Sequence, residues 1–343
     1  MQRILSYRPD FLIWMIIIAV VVALVLPVRG AAVEPANWVV TIAIGFLFFL
    51  YGVRLSPREA LQGLTHWRLH VLIVCLTFVF FPLVGLALMV LKPIVGAGLY
   101  LGILYLTLVP STVQSSVTFT SIAHGHIAAS VVAASVSSLL GVFVTPLLAM
   151  LLLAPSGGVH IDGSTFIKIG VQLLLPFVLG QLLRRWVLPF AANKLTKKFD
   201  QISIGLVVYT SFSEAVTSGT FGQVSWVMLV GLVIGSCLLV YAMLAITSWV
   251  SRRLGFNYRD QVAIQFAGTK KSLAAGLPMA AGMFGSAGAG AAAGAGAEAA
   301  AGLGLIILPL MIFHQVQLVI CSIRASTYAE RWGEKPGPEA HTW

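Results

Sequence analysis

Ten stretches of this chain are apolar enough to lie in lipid, and that leaves few folds open to it. They fall at about 11–28, 37–53, 69–91, 98–123, 127–153, 165–189, 201–219, 223–250, 258–283 and 302–324. Each is continuous rather than alternating, as a membrane helix requires and a barrel strand does not. Only 9% of the 343 residues are charged, against about a quarter in soluble domains. The reading is an all-α integral membrane protein with ten transmembrane helices.

Lysine and arginine test that count, because cytoplasmic loops collect them. With a cytoplasmic N-terminus, sixteen fall in inner segments, from Arg3 and Arg8 to Arg324, Arg331 and Lys335. The outer segments hold only Arg29 and Lys92, and Lys168, Lys270 and Lys271 fall at or within spans. A miscounted span would scramble this alternation, so both termini are expected in the cytoplasm. The net charge of +10 therefore sits in short loops and gives no reason to expect nucleic acid as a partner. Arg3 and Arg8 resemble the start of a signal peptide, but the run at 11–28 is long enough to span and reads as an uncleaved first helix. Cys75, Cys237 and Cys321 lie singly in apolar runs, with no metal-ligand spacing.

Ten spans divide into two sets of five, 1–154 and 164–325, followed by a cytoplasmic tail, 326–343. An odd number per set makes the second enter the membrane from the opposite side, an inverted repeat of the kind secondary transporters use. The fourth member of each set is interrupted. In the first, Pro110 breaks the helix among Ser111, Thr112, Gln114, Ser115, Ser116, Thr118, Thr120 and Ser121. In the second, the break falls in Gln265-Phe266-Ala267-Gly268-Thr269-Lys270-Lys271-Ser272. Two lysines there cost roughly 2.5–3.5 kcal/mol each on insertion scales unless they face protein or water. A loop at the membrane surface is the alternative reading. Paired breaks at equivalent positions favour a substrate or ion site where broken helices 4 and 9 cross at mid-membrane.

On a helix Lys270 and Lys271 would point about 100° apart. Lys270 is expected to be the buried one, with Lys271 at the start of the next half-helix, where free N–H groups and the helix dipole favour an anion. An ammonium could also stand in for bound Na⁺, and a buried lysine that sheds its proton opens a route to H⁺ coupling. Most serines and threonines near the first break are expected to bond back to helix carbonyls; Thr112, Ser115 and Ser116 flank it best as ligands. Of the serines on the next span, Ser130 is the one retained. Glu214 is the one acidic residue that reads as membrane-embedded, close enough to its span's end to reach interfacial water. His314, Gln315 and Gln317 read as interhelical hydrogen-bonding groups. His124-Gly125-His126 reads as a tight turn without enough ligands for a metal. The Gly/Ala-rich stretch 282–302, with Glu298, reads as an outward loop with a weak helical piece. The sequence holds no H-E-x-x-H, G-x-S-x-G or P-loop motif, so no enzyme activity is expected.

Ten spans in two inverted fives, with Pro110-Ser111-Thr112-Val113-Gln114-Ser115-Ser116-Val117 at the first break, resemble the bile acid:sodium symporter family over essentially the whole chain. Phe48-Phe49-Leu50-Tyr51-Gly52, Gly268-Thr269-Lys270-Lys271-Ser272 and Leu308-Pro309-Leu310-Met311-Ile312-Phe313-His314-Gln315 are similar to the branch of sodium/bile acid cotransporter 7 and its bacterial relatives. The resemblance implies a panel of spans 1, 2, 6 and 7 moving against a core of spans 3–5 and 8–10. It also implies sodium ligands, and here this chain departs. The crossover serine is kept as Ser115, but the following asparagine is Ser116. Ser130 is kept while a threonine one turn later is Ala134. The ninth-span glutamate is Gln265, a glutamine-asparagine pair is Thr269 and Lys270, and a third-span glutamine is Thr77 ahead of Pro82.

Losing the carboxylate and gaining an ammonium disfavours a cation in a low-dielectric site. The leading expectation is a secondary transporter of a small organic anion in the lipid bilayer, working by alternating access without two-sodium coupling and without a cofactor. Lys270 would replace sodium or carry a proton. The alternatives are a sodium-coupled, bile-acid-like symporter using Ser115, Ser116, Ser130 and Gln265, and a non-transporting membrane regulator that keeps the fold. Short loops and Ala/Gly-rich composition point to a bacterial inner membrane.

Overall fold

The structure is a computed structural model that describes residues 11–54, 66–153, 174–217, 224–284 and 303–333. Helix α1 (Phe11–Val25) is followed by α2 (Val33–Arg54). Helix α3 (Trp67–Cys75) passes through a π turn (Leu76–Phe80) into α4 (Phe81–Ala87), then a 3-10 turn and α5 (Lys92–Val95). Next come α6 (Ala97–Leu108), α7 (Gln114–Ile122), α8 (Ile127–Leu153), α9 (Leu175–Ala191), α10 (Lys194–Thr217) and α11 (Trp226–Arg253). The last are α12 (Tyr258–Thr269), α13 (Leu273–Phe284) and α14 (Leu303–Gly333). No strand occurs among the described residues.

By length and composition, Gly30–Arg54, Trp67–Val95, Ile127–Leu153, Trp226–Arg253 and Leu303–Glu330 are each sufficient to cross a membrane. Trp14, Ile42, Trp186, Trp226, Val227 and Val319 are more than half exposed, an outward apolar surface that suits lipid and not water. The stretches read as 98–123 and 258–283 each hold two short helices, α6 with α7 and α12 with α13. Helix α14 continues to Gly333, beyond the start assigned to the tail, because nothing between 326 and 333 breaks it. Arg3 and Arg8, Lys168 and Glu298 lie outside the described residues.

Local chemistry explains the helix ends near the core. The Asn257 side chain caps α12 by accepting from the Asp260 N–H (2.9 Å), and Ser225 caps α11 by accepting from Met228 (3.2 Å). Helix α11 stops at Gly255, whose φ of +75° suits glycine; Phe256 N–H bonds Ser251 C=O and Gly255 N–H bonds Arg252 C=O. That is a Schellman stop, with Arg252 and Arg253 complementing the dipole in the last turn.

Helix α1 packs on α10 and α2 on α9, while α14 lies against α6 and α11. The α2–α9 contact is reciprocal. A Cβ on Gly52 would strike the Phe177 carbonyl oxygen, and one on Gly180 would strike the Phe49 carbonyl oxygen. Small residues here let two backbones touch, which is how packing is won where lipid is as apolar as the side chains. At the end of α2, Arg54 pairs with Asp200 of α10 and donates to Ala191 C=O (2.8 Å). Gly52→Ala is expected to destabilise the protein by about 1–3 kcal/mol through overpacking. Gly231→Ala on α11, where an added Cβ meets nothing beyond its own helix within 4 Å, leaves the unfolding midpoint unchanged or raised in the same denaturation series.

Candidate functional site

Helix α6 ends because Val109 turns extended (φ −72°, ψ 153°) before Pro110, and α12 ends because Lys270 does the same (φ −94°, ψ 153°). The two non-helical stretches meet. Ser272 N–H donates to Pro110 C=O (2.8 Å), and Ser111 Oγ donates to Ala267 C=O (2.5 Å). Ser116 Oγ reaches Phe266 C=O (3.2 Å).

The extended backbone overturns the expectation that only Lys270 is buried. Helical spacing does not apply at the break, where Lys270 is extended, and both lysines are 0% exposed. Lys271 Nζ donates to Thr77 C=O (2.9 Å), Thr107 C=O (2.8 Å) and Val109 C=O (2.9 Å). Those three bonds use every donor an ammonium has. Phe81 adds its ring face, 4.2 Å from Nζ to the centroid.

Each carbonyl is available for a reason written in the sequence. The π turn sends the Phe81 N–H to Leu76, and the next residue, Pro82, has no N–H for Thr77. Ser111 N–H, which an unbroken helix would give to Thr107, goes instead to Ser137 Oγ (3.0 Å). Val109 lies in the break itself. Two of the three carbonyls stand at the C-terminal end of α6, where the dipole is negative and favours a cation.

Lys270 points the other way. Its Nζ lies 3.8 Å from the centroid of Phe119 on α7 and 5.5 Å from that of Phe266 on α12, and among the described residues it has no hydrogen-bond partner. Among the described residues, the ion pairs are Arg54 with Asp200 and His126 with Asp260, so no carboxylate neutralises either lysine.

The Lys271 backbone is held as firmly as its side chain. Gln317, buried on α14, accepts from Lys271 N–H (2.9 Å) and donates to Lys271 C=O (2.7 Å). The same amide nitrogen lies 2.8 Å from His314 Nδ1. These two residues are interhelical bonding groups as read, and their partner is the break.

The other candidates fall into distinct settings. Thr112 Oγ1 lies 2.7 Å from Ser115 Oγ and 3.2 Å from Ser116 Oγ, a hydroxyl cluster at the start of α7. Ser130 Oγ accepts from Thr120 Oγ1 (3.2 Å). Gln265, where a carboxylate was expected from the resemblance, donates to Leu244 C=O (2.8 Å). Thr269 Oγ1 is 3.5 Å from Thr247 Oγ1. Thr77 contributes its carbonyl, while its buried hydroxyl has no partner among the described residues. Glu214 stands apart from the lysines, in a cleft between α2 and α10.

Residues 10–330 match the SBF-like CPA transporter family. The chain belongs to that family. Several of its relatives carry transporter names. An uncharacterized protein of Pseudomonas aeruginosa is 46% identical over 328 residues, 95% of this chain and 94% of its own. The putative symporter YfeH of Escherichia coli is 43% identical over 319 residues, 91% of each chain. Sodium/bile acid cotransporter 7-B of Xenopus laevis is 29% identical over 334 residues, 93% of this chain and 92% of its own. Family membership and the apolar helices make this an integral membrane protein of the bile acid:sodium symporter type.

Sequence reasoning missed Lys271 as the coordinated lysine and missed Asp260, which is 6% exposed and bonds His126 Nδ1 at 2.8 Å. The signal for Asp260 was present as its position three residues after Asn257, the cap of α12. Gln317→Leu is expected to leave the Lys271 N–H and C=O unpaired and to cost about 1–3 kcal/mol for each. Chemical denaturation of purified protein checks this, with Gln317→Glu, which keeps only the acceptor, falling between the two.

Proposed function

We propose that this family member is a secondary transporter of a small organic anion that works by alternating access, with the Lys271 ammonium in the place of a coordinated cation. One observation carries the reading: three backbone carbonyls converge on Lys271 Nζ at 2.8–2.9 Å. Such a set of oxygens is what a monovalent cation would want, and here a covalently attached one fills it. The anion would be drawn by Lys270, a buried ammonium with no acceptor. This transfers to Lys271 the sodium-replacing role first expected of Lys270.

In this reading α6 with α7 and α12 with α13 are the fourth and ninth of ten crossings, in inverted repeats 1–154 and 164–325. Packing supports the pairing. An inverted repeat that maps the first crossing on the sixth and the second on the seventh makes the α1–α10 and α2–α9 contacts equivalent, and both pairs pack closely. These four helices would form the panel and the remainder the core, in a bacterial inner membrane with cytoplasmic termini. A lysine can also exchange a proton, so the coupling left by sodium would pass to H⁺.

Sodium coupling is the second reading, favoured by the name of the Xenopus relative. Its candidate ligands are engaged otherwise: Ser116 and Gln265 donate to carbonyls of Phe266 and Leu244.

The test compares thermal unfolding in Na⁺, K⁺ and choline at matched ionic strength for wild type, Lys270→Ala, Lys271→Ala and Lys271→Met. A ligand that binds only the folded state raises stability by mass action. Wild type is expected to show no sodium-specific response, and Lys271→Ala, with an emptied carbonyl set, to gain one that the bulkier Lys271→Met lacks. A saturable sodium-specific rise in wild type would restore the symporter reading.

A further inference from the structure

Where α11 ends and α3 begins, three guanidinium groups collect. Arg68, at the start of α3, crosses to the end of α11: its Nη2 donates to Leu254 C=O (3.3 Å), and its guanidinium carbon lies 5.7 Å from the centre of the Phe256 ring. Arg252 and Arg253 occupy the last turn of α11, directly before that carbonyl. Arg252 Nε donates to Ser248 C=O (3.1 Å), and the Arg253 guanidinium carbon lies 5.5 Å from the Trp249 ring centre. Each arginine is thus positioned by a contact within the protein, and all three residues remain exposed. The ion pairs among the described residues include none of them.

The surface around them fits the boundary of a bilayer. Trp67 and Trp249, exposed beside the arginines, are the kind of amphipathic ring that settles at headgroup depth. An exposed apolar stripe runs from each into the membrane. Val71, Cys75 and Val79 follow Trp67 at intervals of four, and Tyr241 and Leu238 share the Trp249 face of α11. The two stretches flank α12, where a Cβ on Gly268 would stand 3.1 Å from Leu76 and 3.5 Å from Thr247. A general bias of positive charge toward the cytoplasm asks only that arginines lie on this side. It does not ask that they be fixed, unopposed and flanked by lipid-facing stripes.

We propose that this end of the α3–α11 pair binds an anionic phospholipid, its phosphate held by Arg68, Arg252 and Arg253 and its acyl chains laid along the two apolar stripes. Guanidinium groups suit a phosphate because their planar N–H pairs match its oxygens. A zwitterionic lipid carries the same phosphate, but its ammonium would meet three cations and no carboxylate to take it. The site therefore selects a headgroup of net negative charge. It shares no side chain with the buried lysines, and the inference does not depend on the transport reading.

Purified full-length protein in a neutral detergent is titrated with phosphatidylglycerol, with phosphatidylcholine of the same acyl chains, or with inorganic phosphate, and the thermal unfolding midpoint is followed. A ligand of the folded state raises that midpoint by mass action. Phosphatidylglycerol is expected to give a saturable rise, phosphatidylcholine a smaller one and inorganic phosphate none. In the double variant Arg252→Gln with Arg253→Gln, the phosphatidylglycerol concentration at half-effect rises roughly tenfold or more, and in Arg68→Gln by a smaller factor. Arg185→Gln with Lys198→Gln, which removes the same number of charges on α9 and α10, keeps the wild-type response. An equal rise with phosphatidylcholine, a rise with inorganic phosphate, no rise in wild type, or equal losses in the two double variants overturns the proposal.

Discussion

Backbone polar groups released where two helices stop inside an apolar core must find partners, and the structure is arranged to supply them. In lipid an unpaired carbonyl or amide costs several kcal/mol, so a broken helix is tolerated only where protein closes around it. Here each break completes the other. The α6 break offers Pro110 C=O to Ser272 and side-chain hydroxyls to the end of α12. Helix α14 reaches in with Gln317, and Thr145 of α8 donates to Leu108 C=O (2.9 Å). Few residues near this point can change without stranding a buried group.

Charge enters the core on the same terms. Lys271 is tolerable because an ammonium's three donors meet three carbonyls that have no other donor at the break, at the negative end of a helix. Lys270 has only aromatic faces. The asymmetry gives two neighbouring identical residues different physical states, one a structural cation and one an unfilled electrostatic demand. Under the proposed function that demand is what would draw the anion.

Much of this was legible beforehand. Apolar runs located the helices because burial in lipid is decided by short local stretches, and Pro110 located the first break because a missing N–H acts locally. Pro82 carried a further legible signal, since it leaves a carbonyl without a donor, but where that carbonyl pointed was not readable. Glu214 was visible as a charge in an apolar run. Its cleft was not, because its walls come from four separate helices. Lys270 is buried as expected, but Lys271 is buried too, and that was missed for a local reason: helical spacing was assumed where the backbone at Lys270 is extended.

Membrane class and family follow from composition and contiguous motifs, which are local properties of the chain. Which lysine is coordinated depends on how distant segments pack. The carbonyls that hold Lys271 lie 162 to 194 positions away along the chain, and no local pattern encodes a partner at that distance.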